Sequence, residues 1–395
     1  MGAPLTSAPT DEEAPGLLEL QALLADEIAA HLVEHSPPWE ELVGEIRLLR
    51  FLRGHDGNAG AAAASYKKML HWRAAEGVDA IREDIVAKDL QLDWSEFPRG
   101  NEVAKLFPMA LNCGSDEHGH IVQCENTGMV DANCMDELGD EAAAVIKNGF
   151  KYMLECRNLL HDRLSRKTGQ MIMGVHVRDM GQAGVNVIAP KNVAMAKFLG
   201  EMAQDNYPET QDRILFTNAP VFMRAIMAIA KPLLGARTLS KFVVMPGADP
   251  AVLLGHTNLR TLQHLAQFTD KLREETVDRQ DGGVCKTTGT LAVGARRMAD
   301  RPMALAAGAT VSWSWSVASH DVNFEASFVD SSGPQKFLPS RLVSALKKGE
   351  KSERGEFTAP EGCLFTLTWD NTNSRMRGEQ GIWTANIDCP SPCRP

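Results

Sequence analysis

Cys113, His118, His120 and Cys124 fall close together in this sequence, and thiolates with imidazoles are zinc ligands. Their spacing, C-x4-H-x-H-x3-C, is not a standard zinc arrangement. The stretch between the cysteines, Gly114-Ser115-Asp116-Glu117-His118-Gly119, reads as a hairpin turn that would splay the four groups, so no metal is expected. Two further places carry groups suited to ionic or acid–base chemistry. Glu209 follows Pro208 at a turn and Lys241 opens a short apolar run; as a surface ion pair they would contribute about 0–1 kcal/mol. His176 shares a strand face with Gly174, either as a hydrogen-bonded core histidine or as a group pointing into a pocket. No Gly-x-Ser-x-Gly elbow, Walker loop or post-strand Gly-x-Gly-x-x-Gly is present. With no nucleophile motif and no cofactor cradle, the expectation is a binding protein and not an enzyme, with no cofactor.

The elements that must position Glu209 and Lys241 run from Asp205 to Met245. Ile214–Thr217 and Phe242–Met245 are short apolar runs of β type, and the segment between them has helical period over Val221–Ala230. Strand, crossover helix and strand form a βαβ unit, which implies a parallel sheet. Apart from Arg224 this helix is uncharged, and Phe222, Met223, Ile226, Met227 and Ile229 leave it almost no polar face. Such a helix is either buried on both sides or a mobile apolar lid over a lipid-sized cavity.

The totals bound what can surround these elements. At 395 residues the chain exceeds what one hydrophobic core usually holds, and two or three domains are expected. With 44% hydrophobic and 23% charged residues the composition is globular. No apolar run is long enough to span a bilayer. The net charge of −10 argues against nucleic acid as a partner and against steady binding to an anionic membrane by charge alone. No signal peptide is expected, because the first apolar run follows Asp11-Glu12-Glu13. The eight cysteines are scattered and read as reduced thiols of a cytoplasmic protein, with Cys389 and Cys393 in the tail as the exception. Met1-Gly2-Ala3-Pro4-Leu5-Thr6 fits the loose N-myristoylation pattern, while Pro4, Pro9 and Pro15 favour a plain disordered leader.

In order, the pattern predicts a disordered leader over 1–15, a helical module over 16–96, an α/β domain over 97–275, a linker over 276–289, a β-sandwich over 290–388 and a tail over 389–395. In the helical module, Leu17–Val33 and Trp39–Leu52 have helical spacing, and Asn58 caps a helix that Gly77 closes. In the α/β domain, Phe107–Leu111 and Ile121–Glu125 form a hairpin, Asp140–Thr168 a long amphipathic helix, Met171–Val177 a central strand and Asn192–Met202 a further helix. The sheet is therefore mixed. Gly, Thr and charge from Asp278 to Gly289 mark the linker. Thr310–Val317, Val322–Val329, Cys363–Trp369 and Gly381–Ile387 are strands, and in the first of them Val311, Trp313, Trp315 and Val317 alternate with polar residues.

These segments carry a family resemblance. Asn206-Tyr207-Pro208-Glu209, Asn218-Ala219-Pro220, Lys231-Pro232-Leu233-Leu234 and Ser240-Lys241 resemble the core signature of the CRAL-TRIO lipid-binding family. Leu48-Leu49-Arg50-Phe51-Leu52-Arg53, with Leu70-His71-Trp72-Arg73 before Glu76-Gly77-Val78-Asp79, resembles its helical N-terminal module. Trp313-Ser314-Trp315 with Trp369-Asp370-Asn371-Thr372-Asn373-Ser374 resembles the Golgi-dynamics (GOLD) domain, and the order of modules is of the patellin and supernatant-protein-factor type. The resemblance implies a helical module, an α/β lipid-binding domain and an all-β sandwich, with the helix after Asn218-Ala219-Pro220 as gate of a phospholipid pocket. It implies that Glu209 and Lys241 bind an inositol-phosphate headgroup.

Two departures stand out. His55-Asp56 occupies the place of the family's other basic headgroup residues. Ala110, Gln123, Gly174 and His176 occupy the lipid-pocket positions where the family's phosphatidylcholine site has two tyrosines and a Ser/Thr pair. The implied function is phospholipid transfer, of phosphatidylinositol before phosphatidylcholine, by a cytoplasmic protein in transient contact with membranes. The sandwich would take a protein partner or membrane. The rival readings are a carrier of a tocopherol, retinoid or sterol precursor, a vesicle-traffic adaptor with structural lipid, and, least, an α/β hydrolase.

Overall fold

The N-terminal part is helical because its apolar residues recur at helical spacing and its turns carry capping residues. It comprises α1 (Ala14–Leu23), α2 (Ala25–Glu34), α3 (Glu40–Val43), α4 (Glu45–Gly54), α5 (Ala59–Glu76) and α6 (Val78–Lys88). Asn58 caps α5 by accepting from Ala61 N at 2.9 Å, and Gly77 (φ 66°) ends it. The computed structural model describes the chain apart from residues 1–4, 35–37, 131–138, 182, 184–189, 221–222, 224–226, 229–238, 246, 273–275, 280–283, 294–297, 318–320, 345–352, 373–378 and 389–395. Leu20, Leu48, Leu49, Phe51, Leu52 and Tyr66 form the core of the helical module, and Met171 and Met173 enter it from the next domain.

Helix α4 buries Arg47, Arg50 and Arg53. Arg50 is wholly enclosed. Its Nε meets Asp162 Oδ1 at 2.9 Å, Nη1 donates to the Glu209 carbonyl at 2.6 Å, and Nη2 donates to Ile172 O at 2.8 Å. Arg53 explains a departure from expectation in the leader. Residues from Leu5 to Glu13 are laid against the α/β domain. Ser7 N donates to Gly169 O at 3.0 Å, and Met171 N donates to Leu5 O at 2.7 Å. Arg53 clamps this strap by donating to Glu13 Oε1 and Oε2 at 2.7 and 2.9 Å and to Thr6 O at 2.8 Å. The local composition predicts disorder because the clamp comes from a distant helix. Gly2 lies outside the described residues.

The second domain contains α7 (Gly100–Leu106), β1 (Met109–Ala110), β2 (Ile121–Asn126), α8 (Ala142–Thr168), β3 (Gly174–Asp179), α9 (Pro190–Asn206), β4 (Gln211–Thr217), β5 (Phe242–Val244), α10 (Pro250–Leu254) and α11 (Leu259–Leu272). Its sheet has the order β1-β2-β3-β4-β5. β1 pairs antiparallel with β2 and the other neighbours are parallel, so the sheet is mixed, as expected. Val122, Cys124, Val175, Val177 and Leu215 form its rear face, packed with Leu253, Leu262 and Leu265.

The C-terminal strands form two antiparallel sheets, β11-β10-β13-β8 and β12-β9-β14-β7-β6. They comprise β6 (Thr276–Arg279), β7 (Val284–Val293), β8 (Met298–Leu305), β9 (Thr310–Val317), β10 (Asp321–Asp330), β11 (Gly333–Ser344), β12 (Glu353–Thr358), β13 (Cys363–Asp370) and β14 (Glu379–Asp388). The alternation in β9 turns Val311, Trp313 and Trp315 inward, against Phe324, Phe365 and Trp369. The linker expected over 276–289 is instead largely strand. β6 and β7 pair from Thr276 to Arg279, because the β-branched threonines and valines there outweigh the glycines. The sandwich rests on the rear of the α/β domain through Leu364 and Ala304, which join the cluster of Leu262 and Leu265.

Arg50 and Asp162 are a buried pair with both side chains fully enclosed. Arg50→Met should strand the carboxylate of Asp162 and lower stability by about 3–5 kcal/mol in urea denaturation. A loss under about 1 kcal/mol would show that the pair does not hold the module to the domain.

Candidate functional site

The period of two along a strand divides the central sheet into two unlike faces. The rear face is apolar over Val122, Cys124, Val175, Val177 and Leu215, with polar residues only toward its ends, at Arg213 and at Asn126, Asp179 and Thr217. On the front face Gln123 stands beside His176, which stands beside Ile214, which stands beside Phe242. One step along, Glu125 stands beside Arg178, and Arg178 beside Phe216. The β2–β3 half of this face is therefore polar and the β4–β5 half apolar. Ile214, Phe216 and Phe242 pack with Met180, Ala183, Met223 and Met227, so the start of the segment after Asn218-Ala219-Pro220 covers the apolar half. Phe222, Ile226 and Ile229 lie outside the described residues.

The entry to that segment is tightly held. Asn218 has φ 50°, a left-handed conformation that asparagine tolerates better than most residues. Its Nδ2 donates to Asp179 Oδ1 at 2.8 Å, and Ala219 N donates to Met245 O at 3.0 Å. The chain beyond Met245 is held in turn by the sandwich, where Asp300 Oδ2 accepts from Ala248 N at 3.0 Å.

The polar half is an ordered charge string. Glu125 Oε2 lies 2.9 Å from Arg178 Nη2 and 3.3 Å from His176 Nε2, and Glu125 Oε1 accepts from Thr127 Oγ1 at 2.8 Å. Burial alone would raise the Glu125 carboxyl, but Arg178 and then His176 overcome it and hold the group down at about 2. Burial first, and Arg178 second, push the His176 imidazole down to about 4. At neutral pH the string therefore holds an anionic Glu125, a cationic Arg178 and a neutral His176. Arg157 of α8 closes its other end, donating from Nη1 to Gln123 Oε1 at 3.3 Å. The Gln211 amide, oriented to suit its neighbours, accepts from the same Nη1 at 2.8 Å and donates to Gly174 O at 3.1 Å.

At the edge of this face the turn before β4 brings Glu209 and Lys241 together. Lys241 Nζ lies 3.4 Å from Glu209 Oε2 and donates to Gln211 O at 2.7 Å, with both side chains largely buried. Glu209 adopts φ 52°, and Arg50 holds its carbonyl. Pro208 packs on Gly54 so closely that a side chain there would place its Cβ 3.0 Å from the proline Cβ. His55 is half-buried, with Nδ1 2.8 Å from Phe51 O, and Asp56 is exposed with φ 51°.

Of the residues singled out in the sequence, Gln123, Gly174 and His176 lie side by side and Glu209 meets Lys241. Ala110 does not join them. It pairs with Cys124 and packs on the rear face, because a shift of one residue along a strand reverses the side on which a side chain lies. Cys113 and Cys124 also belong to the rear face, while His120 Nδ1 accepts from Met173 N at 3.1 Å. No group of metal-binding side chains occurs among the described residues. The residues that sequence reasoning missed are Glu125, Arg178 and Arg157. The first two follow from Gln123 and His176 by the same period of two; Arg157 sits on a helix whose facing sequence does not signal.

Residues 109–264 match the family model of the CRAL/TRIO domain. The chain therefore contains a CRAL/TRIO domain over these residues. Patellin-6 of Arabidopsis thaliana is 25% identical over 345 residues, which cover 84% of this chain and 76% of the relative. Patellin-4 of the same plant is 26% identical over 338 residues, covering 84% and 57%. The phosphatidylinositol/phosphatidylcholine transfer protein SFH7, also from Arabidopsis thaliana, is 27% identical over 206 residues, covering 50% and 34%. The chain thus spans three quarters of the first relative and much less of the others. Among solved structures, that of Sfh5 overlaps 60% of this chain and 82% of its own, at 14% identity and a TM-score of 0.43. A helical module, a CRAL/TRIO domain and a C-terminal all-β region consistent with GOLD support a patellin-type arrangement.

The His176 shift has a consequence with a definite sign. Its pKa is lower in the folded chain than in the unfolded one, so between about 6.5 and about 4 the unfolded state binds the extra proton. This stabilisation is complete above about pH 6.5 and is lost as pH falls, amounting to about 2 kcal/mol by pH 5. Melting temperatures from pH 7 to 4.5 should fall less steeply for His176→Gln than for the parent chain. Parallel curves would show that His176 is not held neutral.

Proposed function

We propose that this protein binds a phospholipid on the front face of its central sheet, beneath the segment that begins at Asn218-Ala219-Pro220, and carries it between membranes. The observation that supports this best is the division of that face. A lipid is polar at one end and apolar along its length, and the floor is divided in the same way, with Gln123, His176 and Glu125 on one side and Ile214, Phe216 and Phe242 on the other. Transfer of an acyl chain into water costs about 0.8 kcal/mol per CH2, on the order of 12 kcal/mol for a chain of ordinary length, so a carrier must enclose it. Met180, Met223 and Met227 suit variable acyl chains because their side chains adapt. We read the protein as a carrier and not an enzyme, and as a cytoplasmic one; no helix among the described residues is long and apolar enough to cross a membrane.

Phosphatidylinositol is the proposed cargo. Glu209 and Lys241 meet at the rim and offer an acceptor and a cation to an inositol phosphate. Two relatives from Arabidopsis thaliana are named phosphatidylinositol/phosphatidylcholine transfer proteins. One observation favours a second reading, a carrier of a less polar molecule: His55-Asp56 supplies no lysine or arginine beside the rim.

Lys241→Ala should slow phosphatidylinositol transfer between vesicles by about tenfold to a hundredfold, the effect of losing one charge-assisted hydrogen bond, with circular dichroism unchanged. Undiminished transfer would remove Lys241 from the headgroup site and favour the less polar cargo.

A further inference from the structure

Two of the buried arginines, Arg157 and Arg47, have no carboxylate in contact among the described residues; Arg47 donates from Nε to Glu41 O and its guanidinium lies over the Tyr207 ring. Arg50 faces Asp162 and Arg73 faces Glu155, each with a carboxylate in direct contact. Arg157 is only 4% exposed, and its described contacts are the neutral amides of Gln123 and Gln211, both on Nη1. No carboxylate pairs with it among the described residues, and Nε and Nη2 have no partner among them. An unpaired guanidinium taken out of water is strongly unfavourable unless an anion meets it. The nearby anion on the sheet floor, Glu125, is already engaged by Arg178, His176 and Thr127.

Resting on the lipid-carrier reading above, we propose that Arg157, with Gln123, Gln211 and His176, forms an internal oxyanion site that takes the head of an acid-headed acyl lipid. The chemistry is a carboxylate or a phosphate monoester at the end of an acyl chain, buried on the polar half of the floor, with the chain lying over Ile214, Phe216 and Phe242. A guanidinium matches either oxyanion through paired N–H donors, and the Nε and Nη2 pair is the free edge of this one. The same charge disfavours a choline head, whose quaternary ammonium would lie beside Arg157 and Arg178 with Glu125 already occupied. The site is distinct from the Glu209–Lys241 rim, to which it connects through Gln211: the side chain of Gln211 faces Arg157 and its carbonyl faces Lys241.

The test uses the 395-residue chain incubated with phosphatidylcholine vesicles doped separately with oleate, with phosphatidate and with phosphatidylinositol, then re-isolated and its bound lipid read by native mass spectrometry. The parent chain is expected to retain oleate, phosphatidate or both, and the two arms distinguish the carboxylate from the phosphate source. Arg157→Gln should lower that retention about tenfold or more and Arg157→Lys should restore part of it, with phosphatidylinositol retention falling less than acid retention. Melting of the lipid-free protein guards against a folding artefact. Loss of an unpaired buried cation should leave the melting temperature of Arg157→Gln equal or higher, whereas loss of a purely structural hydrogen-bonding group would lower it. A parent chain that retains phosphatidylinositol but neither acid overturns the internal site alone, as does equal acid retention by Arg157→Gln or a lowered melting temperature without selective loss of acid. A parent chain that retains none of the three overturns the carrier reading itself.

Discussion

The enclosed guanidinium of Arg50 is the point at which the working parts of this protein meet. It joins helix α4 to Asp162 of α8, to the backbone just before β3 at Ile172, and to the Glu209 carbonyl in the turn before β4. The helical module, the long helix, the central strand and the rim turn are thus referred to one side chain. A planar group with donors in fixed directions is suited to this, since it sets angles as well as distances. The left-handed backbone at Glu209 is tolerated within that constraint, and with it the carboxylate is presented to Lys241.

The second governing feature is the unequal treatment of the two sheet faces. The rear face is filled with aliphatic side chains and covered by α10, α11 and the sandwich. The front face retains a polar half whose charges are largely matched internally and an apolar half whose cover is a short methionine-bearing segment. The sandwich bears on the front face indirectly. Asp300, held also by Thr368, fixes Ala248, and the backbone just before it, at Met245 and Gly247, pairs with Ala219 and Asn218 at the entry to that segment.

Much of this was legible in the sequence, for identifiable reasons. The strand at Thr310–Val317, the caps at Asn58 and Gly77 and the pairing of Glu209 with Lys241 follow from alternation, local turn chemistry and the family signature. What was not legible depends on partners remote in the chain. The leader from Leu5 to Glu13 is ordered because Arg53 reaches Glu13, which no local composition discloses. The strands at β6 and β7 hide in a stretch whose glycines suggest a linker. Ala110 was placed on the wrong face because side-chain direction in a two-residue strand turns on a single step of register. Arg157 escaped notice because the long helix buries charged residues such as Lys151, Glu155 and Arg157, so its amphipathic pattern did not mark the face toward the sheet.

The central claim, that the lipid lies on the front face between β4, β5 and the segment after Pro220, is tested most directly by photocrosslinking. The 395-residue chain would be loaded with phosphatidylinositol carrying a diazirine in its acyl chain, irradiated, and the modified peptides sequenced. Labelling concentrated on Ile214, Phe216, Phe242, Met180 and Met223 is the result expected. Labelling concentrated instead on rear-face residues such as Leu215, Leu253 and Leu262, or on the sandwich, would contradict the account.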